Sequence, residues 1–161
     1  VVALAGARGL DVGLEYMAWT TPATPARALT MARRTGARVV VDLLHHHRVG
    51  AGVAELAEIA ASGSLGWVQL CDAPLAPPEG PLVDEARHRR MRPGEGDLPL
   101  AALLAAVAPG TTLSVEVQDD RAAAELAAAE RIAGLADSAR AVRASVETAQ
   151  VEGRRSKVAD R

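Results

Sequence analysis

The sequence is poor in aromatic residues and nearly devoid of cysteine. Phenylalanine is absent, and the 161 residues include one tyrosine, two tryptophans and one cysteine. The core must therefore be built from alanine, leucine and valine. Cys71 has no partner for an internal disulfide, and no charged N-terminal segment is followed by an apolar run, so nothing in the sequence marks export. We expect a cytoplasmic protein.

An excess of charge of one sign and a long apolar run are also missing. The 18 Lys and Arg residues nearly balance the 20 Asp and Glu residues, which gives a formal net charge of −2. Such a chain has no overall basic field to attract nucleic acid or anionic lipid. Charged residues or glycine interrupt every apolar run before the ~20 residues that a membrane span requires. We therefore expect neither nucleic acid nor a membrane as a partner.

The length of the chain and its apolar fraction suit one domain. Hydrophobic residues make up 49% of the sequence, which is enough for one globular core. We assign residues 1–150 to this domain and residues 151–161 to a charged, disordered tail. The sequence starts at Val1 rather than at a methionine, and it reads as though it begins within a domain.

Short Val- and Leu-rich runs alternate with helical patterns along the chain. The predicted strands are DVGLEY at 11–16, RVVVDL at 38–43, WVQL at 67–70 and TLSVEV at 112–117. The predicted helices cover 26–35, 53–61 and 99–108, with Asp97 as the cap of the third, and a further helical stretch from Arg121 breaks near Gly134. This alternation favours parallel strands, arranged in a doubly wound sheet or a barrel.

Alternation within the strands separates an apolar face from a face with one polar residue per strand. These polar residues lie near the C-terminal strand ends and are Glu15, Asp42, Gln69 and Glu116. Burying unpaired carboxylates is costly, so four polar groups that converge at one end of a sheet need a shared partner. Three carboxylates and an amide oxygen favour Mn²⁺, Mg²⁺ or Co²⁺ over a thiolate-rich zinc site. The alternative is pairing with Arg or Lys inside the barrel.

The spacing of the four residues indicates one residue for each strand-helix unit. Glu15 and Asp42 are 27 residues apart, as are Asp42 and Gln69, while Glu116 follows 47 residues later because a longer loop occupies 73–96. A complete (β/α)₈ barrel takes about 250 residues. A chain of 161 residues with four strands therefore covers little more than half of one, and we expect either a longer parent chain or two copies that close a barrel.

Five segments resemble the sugar phosphate isomerase/epimerase family of xylose isomerase-like TIM barrels: GLEYM, VVVDLLHHHR, VQLCDAP, EARHRRMRPGEGDLPL and LSVEV. The resemblance spans residues 8 to 145 and covers the second half of the family's barrel. It implies an α/β fold, the C-terminal half of a (β/α)₈ TIM barrel with four parallel strands alternating with helices. The family binds a divalent metal through Glu, Asp, His and Glu on its last four strands. This implies four metal ligands here: Glu15, Asp42, Gln69 and Glu116.

Gln69 stands at the position where the family has a histidine. In this respect, and in the style of VQLCDAP and RPGEGD, the chain is similar to the 3-dehydroshikimate dehydratase branch. In that branch a glutamine can occupy the ligand position. The similarity leaves the choice between isomerase and dehydratase, and the substrate, open.

His45, Arg48 and Arg90 are the predicted substrate-binding residues. His45 follows Asp42 by three positions, and the resemblance implies that it contacts a hydroxyl or carbonyl oxygen of the substrate. Arg48 either binds an anionic substrate group or caps the preceding carbonyls. The spacing Glu-x-x-x-x-Arg-x-x-Pro-Gly resembles the family pattern and favours Arg90 as an anion contact, whereas the alternative for this loop is a solvated run of charges. Cys71 either lines the pocket or fills space in the core.

The leading functional hypothesis is a metal-dependent isomerase or epimerase that acts on a small hydroxy-carbonyl compound, anionic or neutral. Mn²⁺ is the expected cofactor, with Mg²⁺ or Co²⁺ as alternatives. The ion would polarise oxygens of the substrate while Glu15 or Glu116 moves a proton on the adjacent carbon. Alternatives are a 3-dehydroshikimate dehydratase-like lyase and an inactive barrel fragment. A hydrolase similar to endonuclease IV would need more histidines on separate strands. The expected protein partner is a second copy or an N-terminal half-barrel.

Overall fold

Four parallel strands form one sheet in the order of the chain. A computed structural model describes the backbone of residues 1–159 and the side chains of residues 1–150. The strands are β1 Gly13–Glu15, β2 Arg38–Asp42, β3 Leu65–Leu70 and β4 Leu113–Val115. Each pairs in parallel with the next, with a register irregularity between Val39 and Val40 in β2. The predicted alternation of parallel strands with helices is confirmed.

Eight helices occupy the described connections and the C-terminal region. They are α1 Val2–Gly6, α2 Pro25–Thr35, α3 Leu43–Arg48, α4 Val53–Ala61, α5 Leu82–His88, α6 Leu100–Ala105, α7 Asp120–Glu125 and α8 Ala128–Ala159. Within residues 1–159, none of these helices is long and apolar enough to cross a membrane.

Helix α2 begins and ends where local sequence signals place it. The hydroxyl of Thr24 accepts a hydrogen bond from the backbone N–H of Arg27 at 3.4 Å, and Pro25 occupies the first turn. Gly36 ends the helix with φ = 77°, a left-handed conformation that glycine adopts without the steric cost of a side chain. Helix α4 likewise has the predicted bounds and follows Gly52.

The core lies between one face of the sheet and the helices. Val39, Val41, Val68 and Leu70 alternate along β2 and β3 and are fully buried. They belong to one cluster with helical residues, of which Leu56 on α4 is an example. Burying one side chain of this size contributes about 1.5–3 kcal/mol. The apolar face predicted from strand alternation therefore packs against helices, and the opposite face carries the polar strand-end residues.

The C-terminal helices differ from the prediction at their boundaries. Helix α6 begins at Leu100 without a side-chain cap and ends at Ala105, and the N–H of Asp97 donates to the Ala73 carbonyl at 2.9 Å. The expectation that Asp97 caps this helix is therefore wrong. The break after Arg121 lies at 126–127 and not near Gly134. Glycine at 134 instead leaves room for Arg92, since a β-carbon there would lie 2.8 Å from Nη1 of that arginine.

Three short helices, α1, α3 and α5, were not predicted. Helix α3 contains three consecutive histidines, and α5 contains the start of the arginine-rich segment. Helix α8 continues to Ala159, so the backbone does not break at the predicted boundary between residues 150 and 151. That domain boundary stays a prediction, and the end of the predicted tail, at 160–161, lies outside the described residues.

Candidate functional site

The four predicted metal ligands lie at the C-terminal ends of the strands on the face opposite the helical core. Glu15 is the last residue of β1 and Asp42 the last of β2, while Glu116 directly follows β4. Glu15 lies opposite Val40, Asp42 lies opposite Gln69, and Gln69 lies opposite Ser114, two residues before Glu116. Because alternate residues of a strand share a face, these registers direct all four side chains toward the same side of the sheet.

Glu15, Asp42 and His45 form a cluster in which one potential ligand atom of each lies within 4.8 Å of the others. Oδ1 of Asp42 accepts a hydrogen bond from the backbone N–H of His45 at 2.9 Å and so caps the start of α3. This capping bond places the imidazole, whose Nε2 lies 3.7 Å from Oε1 of Glu15. His45, predicted as a substrate contact, is thus also close enough to serve as a ligand.

Negative charge accumulates in this cluster. Burial, together with the neighbouring charges of Asp42 and Glu116 and against a smaller opposing effect of Arg90, raises the pKa of Glu15 to about 7. Burial also lowers the pKa of His45, which favours its neutral form. A site of this kind attracts a cation and keeps its imidazole available as a neutral ligand.

Arg90 is the cation that this structure brings to the cluster. Its side chain is buried, and Nη1 donates to Oδ2 of Asp42 at 2.5 Å. Nη2 lies 3.3 Å from Nε2 of His45 and 3.6 Å from Oε1 of Glu116, while Nε donates to the Ala86 carbonyl at 2.8 Å. The predicted anion contact therefore lies at the site but contacts protein groups, which argues against the solvated charge run as the role of this residue.

Arg48 takes part in a buried ion pair next to the site. Its Nε and Nη2 donate to the two carboxylate oxygens of Glu85 at 2.8 and 2.7 Å, and both side chains are buried. The guanidinium also donates to the carbonyls of Pro74 and Leu75, at 2.8 Å each. Neither role left open for Arg48 describes this geometry: the carbonyls that it contacts belong to Pro74 and Leu75 and do not precede it, and its N–H groups are engaged by protein groups and not by a substrate.

Four polar side-chain atoms of residues in or next to the site are buried without a hydrogen-bond partner among the described residues. They are Oε1 of Glu15, Nδ1 of His45, Oε1 of Gln69 and Oγ of Ser114. The amide nitrogen of Gln69 donates to Glu116, which leaves its oxygen free. A buried polar atom without a partner is costly. Carboxylate and amide oxygens together with a neutral imidazole suit a divalent ion, so the residues present fit a metal site.

Sequence reasoning missed two aromatic contacts and one anchor near the site. The Trp19 ring meets the His45 ring edge to face at 5.1 Å, and the Tyr16 hydroxyl lies 2.5 Å from Nδ1 of His46. The carboxylate of Asp72 accepts three backbone N–H groups and holds the loop that follows Arg90. These partners are far apart in sequence or lie in loops without periodicity, so no local pattern identifies them.

Cys71 is fully buried, at the end of β3. Burial raises the pKa of its thiol to about 12, so the thiolate form is disfavoured near neutral pH. Its Sγ lies 3.3 Å from Nη1 of Arg90. Of the two roles considered for Cys71, filling space beside Arg90 agrees with this geometry.

Comparison with known families identifies the barrel. The sequence matches the family model described as xylose isomerase-like TIM barrel over residues 1–144. The chain belongs to this family. Its sheet of four parallel strands alternating with helices is a partial TIM barrel of the xylose isomerase-like type, as the resemblance of the five segments implied. A search of curated protein sequences finds no match.

Solved structures show the same fold. The IolI protein, crystallised with a zinc atom, superimposes with a TM-score of 0.76 at 21% identity, over 89% of this chain and 52% of that protein. A xylose isomerase domain containing protein from Salmonella typhimurium LT2 gives 0.68 at 17% identity, over 88% of this chain and 53% of that one. A xylose isomerase-like TIM barrel/4-hydroxyphenylpyruvate dioxygenase fusion protein gives 0.63 at 28% identity, over 73% and 20%. The chain thus spans about half the length of these relatives or less.

Proposed function

We propose that this chain carries the metal-binding half of an isomerase- or epimerase-type enzyme that moves a proton next to a carbonyl group. The observation that carries the proposal is the cluster of Glu15, Asp42 and His45 at the strand ends. The unpartnered oxygens of Glu15 and Gln69 beside it support the same conclusion. Membership in the xylose isomerase-like family and the zinc atom in the structure of the IolI protein agree with it.

The proposed metal ligands are the four strand-end residues, with His45 as an additional or alternative donor. Mn²⁺ is the proposed ion, since carboxylate and amide oxygens dominate the set, with Mg²⁺ or Co²⁺ as alternatives. The imidazole of His45 brings a nitrogen donor that zinc also accepts. A divalent ion held here would polarise a carbonyl oxygen of the substrate and so acidify the adjacent carbon.

The residues of the chain supply the proton transfer and the orientation of the substrate. A carboxylate oxygen of Glu15 or of Glu116 would accept the proton from the carbon and return it. His45 and Arg90 would contact hydroxyl, carbonyl or anionic groups of a small hydroxy-carbonyl substrate. Arg48 is a weaker candidate for that role because its N–H groups already contact Glu85 and backbone carbonyls.

A lyase similar to 3-dehydroshikimate dehydratase is the second candidate. Gln69 occupies the ligand position on β3, directly opposite Asp42, and its side-chain oxygen is free to bind. This glutamine is the observation that favours dehydration. Loss of water from a hydroxyl beside the deprotonated carbon would use the same carboxylate base, so product analysis with hydroxy-carbonyl substrates separates the two reactions.

Metal binding is the first test of the proposal. A saturating divalent ion stabilises the folded state by about 2.7 kcal/mol at a hundredfold excess over its Kd, which corresponds to a melting temperature about 5–10 °C higher for a chain of this size. We expect Mn²⁺ to produce such a shift in the wild-type protein and not in Glu15→Gln.

Glu58→Gln is the matched control, since it makes the same change at an exposed position on α4. This control should keep the full metal-induced shift. If Mn²⁺, Co²⁺ and Zn²⁺ all leave the melting temperature of the wild-type protein unchanged, the metal-centre proposal is wrong.

A further inference from the structure

Behind the candidate metal centre, a second pair of side chains links the end of β1 to α3. Tyr16 follows Glu15, and His46 follows His45. The Tyr16 hydroxyl lies 2.5 Å from Nδ1 of His46, and the two rings meet edge to face with centroids 6.1 Å apart. Tyr16 is 1% exposed and His46 is fully buried. Neither residue has a role in the proposed chemistry.

The direction of the hydrogen bonds follows from the partners. Nε2 of His46 lies 2.8 Å from the carbonyl of Gly52. A carbonyl only accepts, so Nε2 carries a proton, and in the neutral imidazole the other nitrogen, Nδ1, is then the acceptor. The Tyr16 hydroxyl therefore donates to Nδ1, and one neutral imidazole connects β1, α3 and the residue that precedes α4. All polar atoms of this chain of contacts have partners.

Adjacent residues of a strand point to opposite faces, so Glu15 and Tyr16 point to opposite sides of the sheet. The contact between Glu15 and His45, with 3.7 Å between Oε1 and Nε2, lies on the face of the site. The contact between Tyr16 and His46 lies among the helices. The end of β1 and helix α3 are thus in contact twice. One contact is between Glu15 and His45, which are proposed metal ligands, and the other is between Tyr16 and His46, which are not.

Strand β1 is short and has one neighbouring strand in the described part of the chain. It is three residues long and, within residues 1–159, pairs with β2 alone. Glu15 is its terminal residue, and its last register partner is Val40. The backbone beyond Glu15 has no strand partner in the described part of the chain, so side chains hold this end against α3, and the contact of Tyr16 with His46 is the buried hydrogen bond among them.

We propose that Tyr16 and His46 are positioning residues that fix the distance between Glu15 and His45 through a buried hydrogen bond on the back of the sheet. The inference rests on the proposed function, because the distance between Glu15 and His45 affects metal binding only if the two residues bind the same ion. Partners of this kind, which orient ligands without touching the metal, typically change metal affinity 10- to 100-fold when mutated.

The test uses Tyr16→Phe, which removes one hydroxyl and keeps the ring. Two readouts are compared with the wild-type protein: the NMR signal of the His45 ring in the metal-free protein, and the dissociation constant of Co²⁺ measured from its visible absorption. The perpendicular Trp19 ring makes the His45 signal sensitive to small displacements. We expect that signal to move and the dissociation constant to rise at least tenfold.

Two further variants separate positioning from general stability. Leu103→Val removes one buried methylene on α6, which packs against α8, and should lower the melting temperature without moving the His45 signal. His46→Gln keeps one acceptor for Tyr16 and one donor for the Gly52 carbonyl, so it should retain the wild-type signal, whereas His46→Leu should behave as Tyr16→Phe does. If Tyr16→Phe does not fold, the comparison of His46→Gln with His46→Leu decides.

The two readouts distinguish this proposal from the proposed function. A His45 signal that is unchanged in Tyr16→Phe, or that moves as much in Leu103→Val, overturns the positioning role. A His45 signal that moves in Tyr16→Phe alone supports that role, even if the wild-type protein binds no Co²⁺. In that last case the metal-centre proposal fails and the positioning of His45 against Glu15 stands.

Discussion

Asp42 combines two tasks in one carboxylate. Oδ1 accepts the backbone N–H of His45 and starts α3, while Oδ2 contacts the guanidinium of Arg90. The two oxygens of a carboxylate accept independently, so the residue can orient His45 and still take part in binding a cation. This division explains why a carboxylate lies at the end of a buried strand.

Replacing Asp42 by asparagine and by alanine separates these tasks. Asparagine caps helices about as well as aspartate, so Asp42→Asn should be more stable than Asp42→Ala by about 0.5–2 kcal/mol. Both variants should lose the stabilisation by Mn²⁺, because neither keeps the carboxylate. Urea unfolding with and without metal gives both quantities. Full metal stabilisation of Asp42→Asn would remove this residue from the ligand set.

Arg90 neutralises the carboxylates of the site from within the protein. In Arg90→Gln, the buried carboxylate of Asp42 loses its partner, and breaking a buried pair from one side costs about 3–5 kcal/mol. We expect a loss of this size in the metal-free protein and partial recovery with Mn²⁺, since the ion supplies the missing positive charge. Arg87→Gln, on the exposed surface of α5, is the control. A metal response no larger than that of the wild-type protein would contradict this account.

At the scale of elements, buried polar contacts hold the loops after β3 in place. Arg48 on α3 joins Glu85 on α5 and the carbonyls of 74–75. Asp72 accepts the N–H groups of Ala73, Gly94 and Leu98 at 2.9–3.0 Å. These contacts fix both ends of the segment that brings Arg90 to the site, which explains how a long connection can position a buried side chain.

The ion pair of Arg48 and Glu85 can be tested as a unit. Arg48→Met or Glu85→Leu alone leaves one buried charge without a partner and should cost about 3–5 kcal/mol. The double variant removes both charges, so its loss should be clearly smaller than the sum of the two single losses. Denaturant unfolding of the four proteins completes the cycle. Additive losses would show that the two side chains do not stabilise each other.

At the scale of the whole molecule, the sheet ends at two strands that each have one neighbour in the part of the chain described. The outer sides of β1 and β4 have unpaired backbone groups, which readily pair with other strands. Apolar side chains near these edges are exposed, among them Leu10 before β1 and Val115 within β4. A complete TIM barrel has eight strands. We propose that four further strands cover this surface, from a second copy or from an N-terminal half-barrel.

The proposal predicts association of the chain when it is alone in solution. Two copies that close a barrel would have twice the chain mass of 16.7 kDa, and the backbone N–H groups of β1 would be protected from hydrogen exchange. Light scattering at several concentrations and exchange measurements are the tests. Addition of an N-terminal half-barrel from a relative should compete with self-association. A monomer at all concentrations, with unprotected edges that do not respond to the added half, would contradict the proposal.

Elements with local signals could be predicted from the amino-acid sequence. Thr24, Pro25 and Gly36 delimit α2 within a few residues, and strand alternation alone places Glu15 and Asp42 on one face. These signals are local because capping groups contact neighbouring backbone and side chains alternate at every strand residue. The α/β fold and the converging strand ends were predictable for this reason.

The pairing of charged and polar side chains could not be predicted from the sequence and depends on the three-dimensional packing of the chain. Tyr16 meets His46 across 30 residues, Arg48 meets Glu85 across 37, and Arg90 meets Asp42 across 48. In the sequence, the arginines of the arginine-rich segment look equivalent. In the structure, the path of the backbone buries Arg90. Contacts between residues so far apart in sequence depend on how whole helices and strands pack. The identity of a single residue does not predict that packing.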